Sequence, residues 1–199
     1  IDLELASRVA ANLGLPAPTK GTVSVKPSSL KESPALSQMN LLSGDIKSRK
    51  VAILVANGVD GKAVAALQKA LKAEGAHAKV LGPTSAPVKT ADGQTLAVDA
   101  SQEGLPSVAF DAVWVPGGAD SIKALSADGV ALHYLLEAYK HLKAIGISKD
   151  GKALLEALRL KEDAGLLVGD DDSTIKAFIA AIAKHRVWDR EPAAKAIPA

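Results

Sequence analysis

From Arg49 onward the apolar positions alternate between two patterns, short unbroken runs and helical stripes. Val51 to Ala56 (VAILVA), Ala112 to Val115 (AVWV) and Ala144 to Ile147 (AIGI) carry no polar interruption. That is the pattern of strands buried on both faces. Ala78 to Leu81 and Leu166 to Val168 are shorter pieces of the same kind. Between the runs, apolar residues recur at helical spacing: Val64, Leu67 and Leu71; then Leu132, Leu135, Leu136, Tyr139 and Leu142; then Leu154, Leu155 and Leu158; then Ile175, Phe178, Ile179 and Ile182. Asn57-Gly58 marks a turn, Asp60 is placed to cap the first of these helices, and Gly75 to stop it. The second helix is predicted from about Ala127 to Leu142. Val88-Lys89-Thr90 and Gln94 to Val98 flank Ala91-Asp92-Gly93, a hairpin signal. Strands alternating with helices predict right-handed crossovers and a doubly wound sandwich with a mainly parallel sheet.

Upstream of Arg49 the pattern differs. Asp2 can cap a short helix with Leu5, Val9 and Leu13 on one face, ended by Gly14 and Pro16. From Pro16 to about Lys47 the periodicity dissolves among Pro16, Pro18, Pro27 and Pro34 with many Ser, Thr and Lys. So long an irregular stretch is uncommon inside a compact domain, and it reads as an extended arm laid across another surface.

Composition narrows the chemistry. The 199 residues suit one domain plus an arm. Hydrophobic residues make up 48% and aromatics 3%, so the core is expected to be aliphatic. A net charge of +2, scattered among acids, argues against a nucleic-acid partner. No apolar run is long enough to argue for a membrane span. The absence of cysteine excludes disulfides, thiolate metal sites and a cysteine nucleophile. The chain opens on Ile1 with no signal-peptide pattern after it, and it is read as a fragment.

In such a sandwich, ligands bind at the carboxyl ends of the strands. That directs attention to Asn57–Lys62, Pro116–Ser121 and Ile147–Gly151. Pro116-Gly117-Gly118 has two readings, an anion cradle of backbone N–H groups or a turn that needs glycine; no basic residue adjoins it, which favours the turn. Asp170-Asp171-Asp172 lacks the spacing of a hard-metal site and stands where carboxylates cap a helix. Ser148 or Asp150 is expected to cap the helix holding Leu154. Tyr134 and Tyr139 lie within an apolar pattern and are expected to pack. Trp188 is read as an anchor for the tail, on this domain or on another.

VAILVANGVDG, VWVPGGAD and HLKAIGISKDG resemble the DJ-1/PfpI-type (class I glutamine amidotransferase-like, flavodoxin-like) domain. YLLEAYKHLKAIG and HRVWDREPAAKAIPA, with the opening DLELASRVAANLGLPAP, resemble the C-terminal domain of large-subunit (clade 2) haem catalases. The resemblance implies three parts: residues 1–15 as the end of the catalase helical region, 16–48 as a linker arm, and 49–199 as the flavodoxin-like domain with its tail. It implies a parent enzyme that decomposes hydrogen peroxide with haem. The haem would sit in a β-barrel, no part of which is in this sequence, so no cofactor, metal or catalase catalytic residue is assigned here. Active DJ-1/PfpI-type proteins carry a cysteine on the turn after the strand corresponding to Ala144–Ile147, tuned by a glutamate. Those positions read here as Ile147, followed by Ser148, and as Ala63. Both groups are missing. β-Branched Ile147 suits a strained elbow poorly, so a relaxed turn is expected.

The resulting expectation is a non-catalytic domain that packs on the catalase core of its own chain and neighbouring subunits. It would stabilise a cytoplasmic homotetramer and shape access to the haem. A chaperone-like role for the free domain is a second reading. A small hydrolase or glyoxalase using Ser148 is a third, needing a base from among His77, His133, His141 and His185. A flavin carrier is a fourth, and no aromatic pair in the strand-end loops supports it.

Overall fold

Along the run Val51 to Ala56, Val51, Ile53 and Val55 bury in one apolar cluster, and Ala52, Leu54 and Ala56 in another. A period-2 chain covered on both faces produces this split. The computed structural model describes residues 2–19, 29, 32–37 and 44–197. Its strands are β1 (Lys50–Leu54), β2 (His77–Gly82), β3 (Val88–Lys89), β4 (Thr95–Leu96), β5 (Ala100–Ser101), β6 (Ala112–Val115), β7 (Ala144–Ile147) and β8 (Leu166–Val168). Its helices are α1 (Leu3–Asn12), α2 (Gly61–Ala73), α3 (Ala119–Ser126), α4 (Gly129–Lys140), α5 (Lys152–Leu158), α6 (Asp172–Ala183) and α7 (Glu191–Lys195).

The six-stranded sheet runs β5-β2-β1-β6-β7-β8, parallel throughout. From β1 the chain winds outward to β2, then returns to β6 on the other side of β1. This is the flavodoxin-like order with one short edge strand added, and its switch point lies between β1 and β6. Helices α2 and α6 supply the cluster with Val51 and Ile53, where Trp114 and Phe178 meet edge to face at 4.9 Å. Helices α3, α4 and α5 supply the cluster on the opposite face. The expected hairpin is present, with Val88 opposite Leu96 and Lys89 opposite Thr95.

Local chemistry explains most boundaries. The Asp60 carboxylate accepts hydrogen bonds from the backbone N–H groups of Lys62 and Ala63 and starts α2. Gly75, at φ 77°, turns the chain so that Ala76 N–H closes on the Leu71 carbonyl. One expectation needs correction. The reading from the sequence contains no helix between Ser121 and Ala127, yet α3 forms there and buries Ser121, Ile122 and Leu125. Helix α4 starts after it, at Gly129, with Asp128 as its cap.

The chain divides into two units, Ile1–Leu41 and Leu42–Ala199. In the first, Asp2 caps α1 through the N–H groups of Glu4 and Leu5, and a 3₁₀ turn spans Pro34–Leu36. Leu5, Val9 and Leu13 are 56%, 49% and 66% exposed. The extended-arm reading of residues 20–28, 30–31 and 38–43 lies outside the described residues. In the second unit the core reaches back to Ile46, which is fully buried.

Candidate functional site

The three strand-end loops converge at the switch point, and backbone groups stitch them together. Asp60 N–H donates to the Gly117 carbonyl at 2.7 Å. Ser121 Oγ, fully buried, accepts from Ala56 N–H at 2.9 Å. Ser148 N–H donates to the Val115 carbonyl at 3.0 Å, and Gly118 N–H faces the Asp150 carboxylate at 3.5 Å. Gly118 has φ 120°, and a Cβ there would overlap the Gly58 carbonyl oxygen. Pro116-Gly117-Gly118 is therefore a turn that needs glycine for both its angles and its close approach.

Ile147 ends β7 buried in the core. Ser148 follows with φ −60° and ψ 161°, ordinary extended backbone. The positive-φ non-glycine residues described are Ser48, Leu142, Arg159 and His185, none of them at this turn. Neither Ser148 nor Asp150 caps the helix holding Leu154, contrary to expectation; Gly151 stands at the cap position of α5. The Ser148 Oγ is buried and has no hydrogen-bond partner. The chain after it makes a 3₁₀ turn over Lys149–Gly151 before α5, so the hydroxyl is not aligned on a free first-turn N–H. Ala63 sits in the first turn of α2, a methyl group with its N–H held by Asp60.

The histidines lie elsewhere. His77 begins β2, at the opposite end of the sheet; His133 is exposed on α4, and His141 is exposed just past its end. His141 Nε2 lies 3.4 Å from Glu137. His185 follows α6, where burial, then the charges of Arg186 and Arg49, lower its pKa. An unpartnered hydroxyl without an imidazole in reach is a poor nucleophile.

The carboxylates behave as caps. Asp171 accepts from Thr174 N–H, Thr174 Oγ1 and Ser173 Oγ, and these bonds hold its pKa at about 2. Asp170 accepts from Lys149 N–H. Among the described residues, no three His, Asp or Glu side chains gather as metal ligands. No described helix is long and apolar enough to cross a membrane.

The two tyrosines do not fit a haem ligand's role. Tyr134 is buried and its hydroxyl donates to the Leu105 carbonyl at 3.2 Å. Tyr139 is buried with the Arg190 guanidinium 4.3 Å from its ring centre. Burial raises both phenol pKa values, and the Asp163 charge adds to the rise at Tyr139.

The strongest polar assembly lies at the other end of the sheet. The Arg190 side chain, with no solvent exposure, grips Asp163 through Nε at 2.7 Å and Nη2 at 2.8 Å. Its Nη1 donates to the Lys143 carbonyl at 2.7 Å. Burial pushes the Asp163 carboxyl up, but the Arg190 bonds and charge and the N–H groups of Gly165 and Leu166 leave it below the ordinary carboxylate range. Lys143 is buried beside this grip and donates from Nζ to the Ser107 carbonyl at 2.6 Å. Burial, then the Arg186 charge, lowers its pKa to about 8. The sequence leaves Trp188 as an anchor on this domain or on another, and within this unit Trp188 is 52% exposed. Arg190, two residues on, is the residue that locks the tail into this unit.

Comparison with known proteins is consistent across the chain. The profile of the family described as the C-terminal domain found in long catalases matches residues 47–192. Catalase HPII of Pseudomonas putida is 58% identical over 200 residues, covering 100% of this chain and 28% of that protein. Catalase HPII of Pseudomonas aeruginosa is 52% identical, again over 100% of the chain and 28% of the relative. Catalase-B of Dictyostelium discoideum is 42% identical over 100% of the chain and 29% of the relative. The chain thus spans under a third of the length of these curated relatives.

Proposed function

The chain belongs to the family of C-terminal domains found in long catalases, and from that premise we propose that it is the non-catalytic domain of a cytoplasmic haem catalase. The parent chain decomposes hydrogen peroxide to water and oxygen, using haem held outside these residues. The domain stabilises a homotetramer and shapes the approach to the haem. Residues 1–15 close the helical region of the core, 16–48 form a linking arm, and 49–199 form the domain with its tail. The observation that carries this reading is the full-length match of the chain to only 28% of each Pseudomonas relative. Two features support it. The carboxyl-end crevice has backbone amides and one unpartnered hydroxyl where an enzyme of this fold keeps its reactive group. The α1 stripe of Leu5, Val9 and Leu13 is exposed in the chain by itself, as a surface meant for a larger body would be.

The test compares a longer protein carrying this domain with a form lacking residues 49–199. Loss of the domain is expected to lower the melting temperature, loosen the tetramer and reduce peroxide turnover. The 199-residue chain alone is expected to show no turnover and no Soret band after mixing with haem. A truncated form unchanged in assembly, stability and turnover would overturn the reading, as would peroxide decomposition by the isolated chain.

A further inference from the structure

We propose that residues 186–197 form a detachable strap, a segment that docks in a groove of its own chain and opens as one unit about His185 while the sheet stays folded. The groove is then a peptide site filled in cis, and its ligand carries a valine followed three residues later by an arginine. The inference does not depend on the catalase reading.

The hinge is visible in the backbone. His185 has φ 67°, and Arg186 N–H donates to the Lys184 carbonyl at 2.8 Å. That closure with a positive central φ is the strained form of the γ-turn. Strain of this kind persists only where the flanking structure holds it. On one side His185 N–H donates to the Ile182 carbonyl at 2.8 Å and belongs to the end of α6. On the other side the strap must supply the hold.

Four anchors do so. Val187 N–H donates to the Leu142 carbonyl at 2.8 Å. The Val187 side chain fills a notch over Gly165, where an added Cβ would overlap Val187 Cγ2. The Arg190 guanidinium grips Asp163 and the Lys143 carbonyl and lies over the Tyr139 ring. Ala194 is buried, and Ile197 packs on the cluster that α4 supplies. Between the anchors, Trp188 and Asp189 face solvent. On the groove side, the polar partners of these anchors are two carbonyls and a carboxylate, so the groove selects a segment rich in donors. The Gly165 notch adds room for one β-branched side chain ahead of the arginine.

Release costs the body none of its frame. Among the described residues, every strand and helices α2 to α6 precede His185, so opening breaks no sheet bond. Asp163 keeps the N–H groups of Gly165 and Leu166, and Lys143 keeps the Ser107 carbonyl. The charged groups left behind retain partners, which makes the open strap a state of the folded chain.

Native-state hydrogen exchange of the 199-residue chain in low urea tests this. The amides of Val187, Arg190, Ala196 and Ile197 are expected to share one opening constant, at least about 10-fold larger than that of β1 and β6. It should depend only weakly on urea, because a strap exposes little surface. The α6 amides are expected not to share that opening. A fluorescent peptide copying residues 186–197 is also titrated into the full chain carrying Arg190→Ala, whose own strap is weakened. Saturable binding is expected. It should be at least about 10-fold weaker when the peptide itself carries Arg190→Ala, and weaker again by a similar factor to the unsubstituted chain, whose tethered strap competes. The proposal fails if the four strap amides open only with β1 and β6, which makes the tail integral to the core. It fails as well if their rates fall steadily from Ile197 inward to Val187, which is end fraying. A folded Arg190→Ala chain that takes up no peptide, or takes up both peptides alike, also overturns it. Should Arg190→Ala not fold by circular dichroism, the exchange rates of the unsubstituted chain decide alone.

Discussion

The two ends of the central sheet are built from different materials. At the carboxyl ends of β1, β6 and β7 the loops are closed by main-chain bonds, with glycine at the tightest approach and Ser121 and Ser148 as buried polar residues. At the amino ends, charged groups dominate. Arg49 pairs with Asp111 ahead of β1 and β6, Lys143 precedes β7, and Arg190 grips Asp163 ahead of β8. In an open α/β sheet, chemistry belongs to the carboxyl ends. Here the buried charged side chains, Lys143 and Arg190, sit at the opposite end, and Arg190 binds the tail to the sheet. That arrangement agrees with the non-catalytic role proposed above.

The sharpest way to break this contrast is to remove the amino-end clamp. Arg190→Ala is expected to destabilise the domain by about 3–5 kcal/mol, because truncating one partner of a buried ion pair strands the other groups. Urea unfolding measures it. Arg190→Lys is expected to recover little, since an ammonium cannot reproduce the two-pronged grip on Asp163 together with the bond to the Lys143 carbonyl. The folded Asp163 pKa is lowered, so its contribution is present above the ordinary carboxylate pKa and is lost as pH falls below about 4. Arg190→Ala should flatten that acid limb. A loss below 1 kcal/mol would mean that the clamp is incidental.

The carboxyl end should be sensitive to shape instead of charge. Gly118→Ala places a methyl against the Gly58 carbonyl and the Asp60 amide and forces a positive φ on alanine. A cost of about 2–4 kcal/mol is expected from strain and overlap together. Asp150→Asn nearby is expected to change stability by under about 0.5 kcal/mol, since an exposed carboxylate 3.5 Å from an N–H contributes little. If Asp150→Asn proves the more damaging of the two, the description of this end as governed by steric fit is wrong.

Lys143 gives the amino end a second pH signature, with the same slope as that of Asp163 but in the alkaline range. Its folded pKa of about 8 lies below the ordinary lysine value. Between pH 8 and about 10.4 the unfolded chain therefore binds more protons than the folded one, and stability rises through that window. An increase of about 1–3 kcal/mol is expected, ending where the raised pKa values of Tyr134 and Tyr139 begin to favour the unfolded state. Lys143→Met should abolish the rise. At pH 7 its net effect should stay within about 1 kcal/mol, because relief of a buried charge offsets loss of the bond to Ser107.

The unequal legibility of the two ends follows from what periodicity records. Buried runs such as AVWV and AIGI announce parallel strands, and Asp60 and Asp171 announce helix starts, because these are local signals. Ile147, Ser148 and Ala63 were singled out by resemblance to the DJ-1/PfpI-type domain, while the alternation of elements pointed only to the strand-end loops. Helix α3 was missed because Gly118 precedes it without a side-chain cap and only Ile122 and Leu125 mark its buried face. Arg190 was missed for a different reason. A charged residue beside Trp188 in a polar tail reads as surface, and its partners Asp163 and Lys143 stand 27 and 47 residues away. Nothing local distinguishes a clamp of that kind from a solvated side chain.

The smallest expected effect separates the two ends most cleanly. Ser148→Ala removes a buried hydroxyl that has no partner, at the position where a reactive DJ-1/PfpI-type protein would have its nucleophile one residue before. If the crevice is inert, the substitution takes away a desolvation cost and leaves a space too small to matter. The domain should then gain about 0.5–1 kcal/mol, since an unsatisfied buried hydroxyl costs more than the contacts of its single oxygen return. Ester and 2-oxoaldehyde turnover by the chain should be at background before and after the change. A destabilisation of more than about 1 kcal/mol would instead reveal a bond that Ser148 makes and the geometry does not contain. Turnover that disappears with the hydroxyl would return chemistry to the carboxyl end and reverse the contrast between the two ends of the sheet.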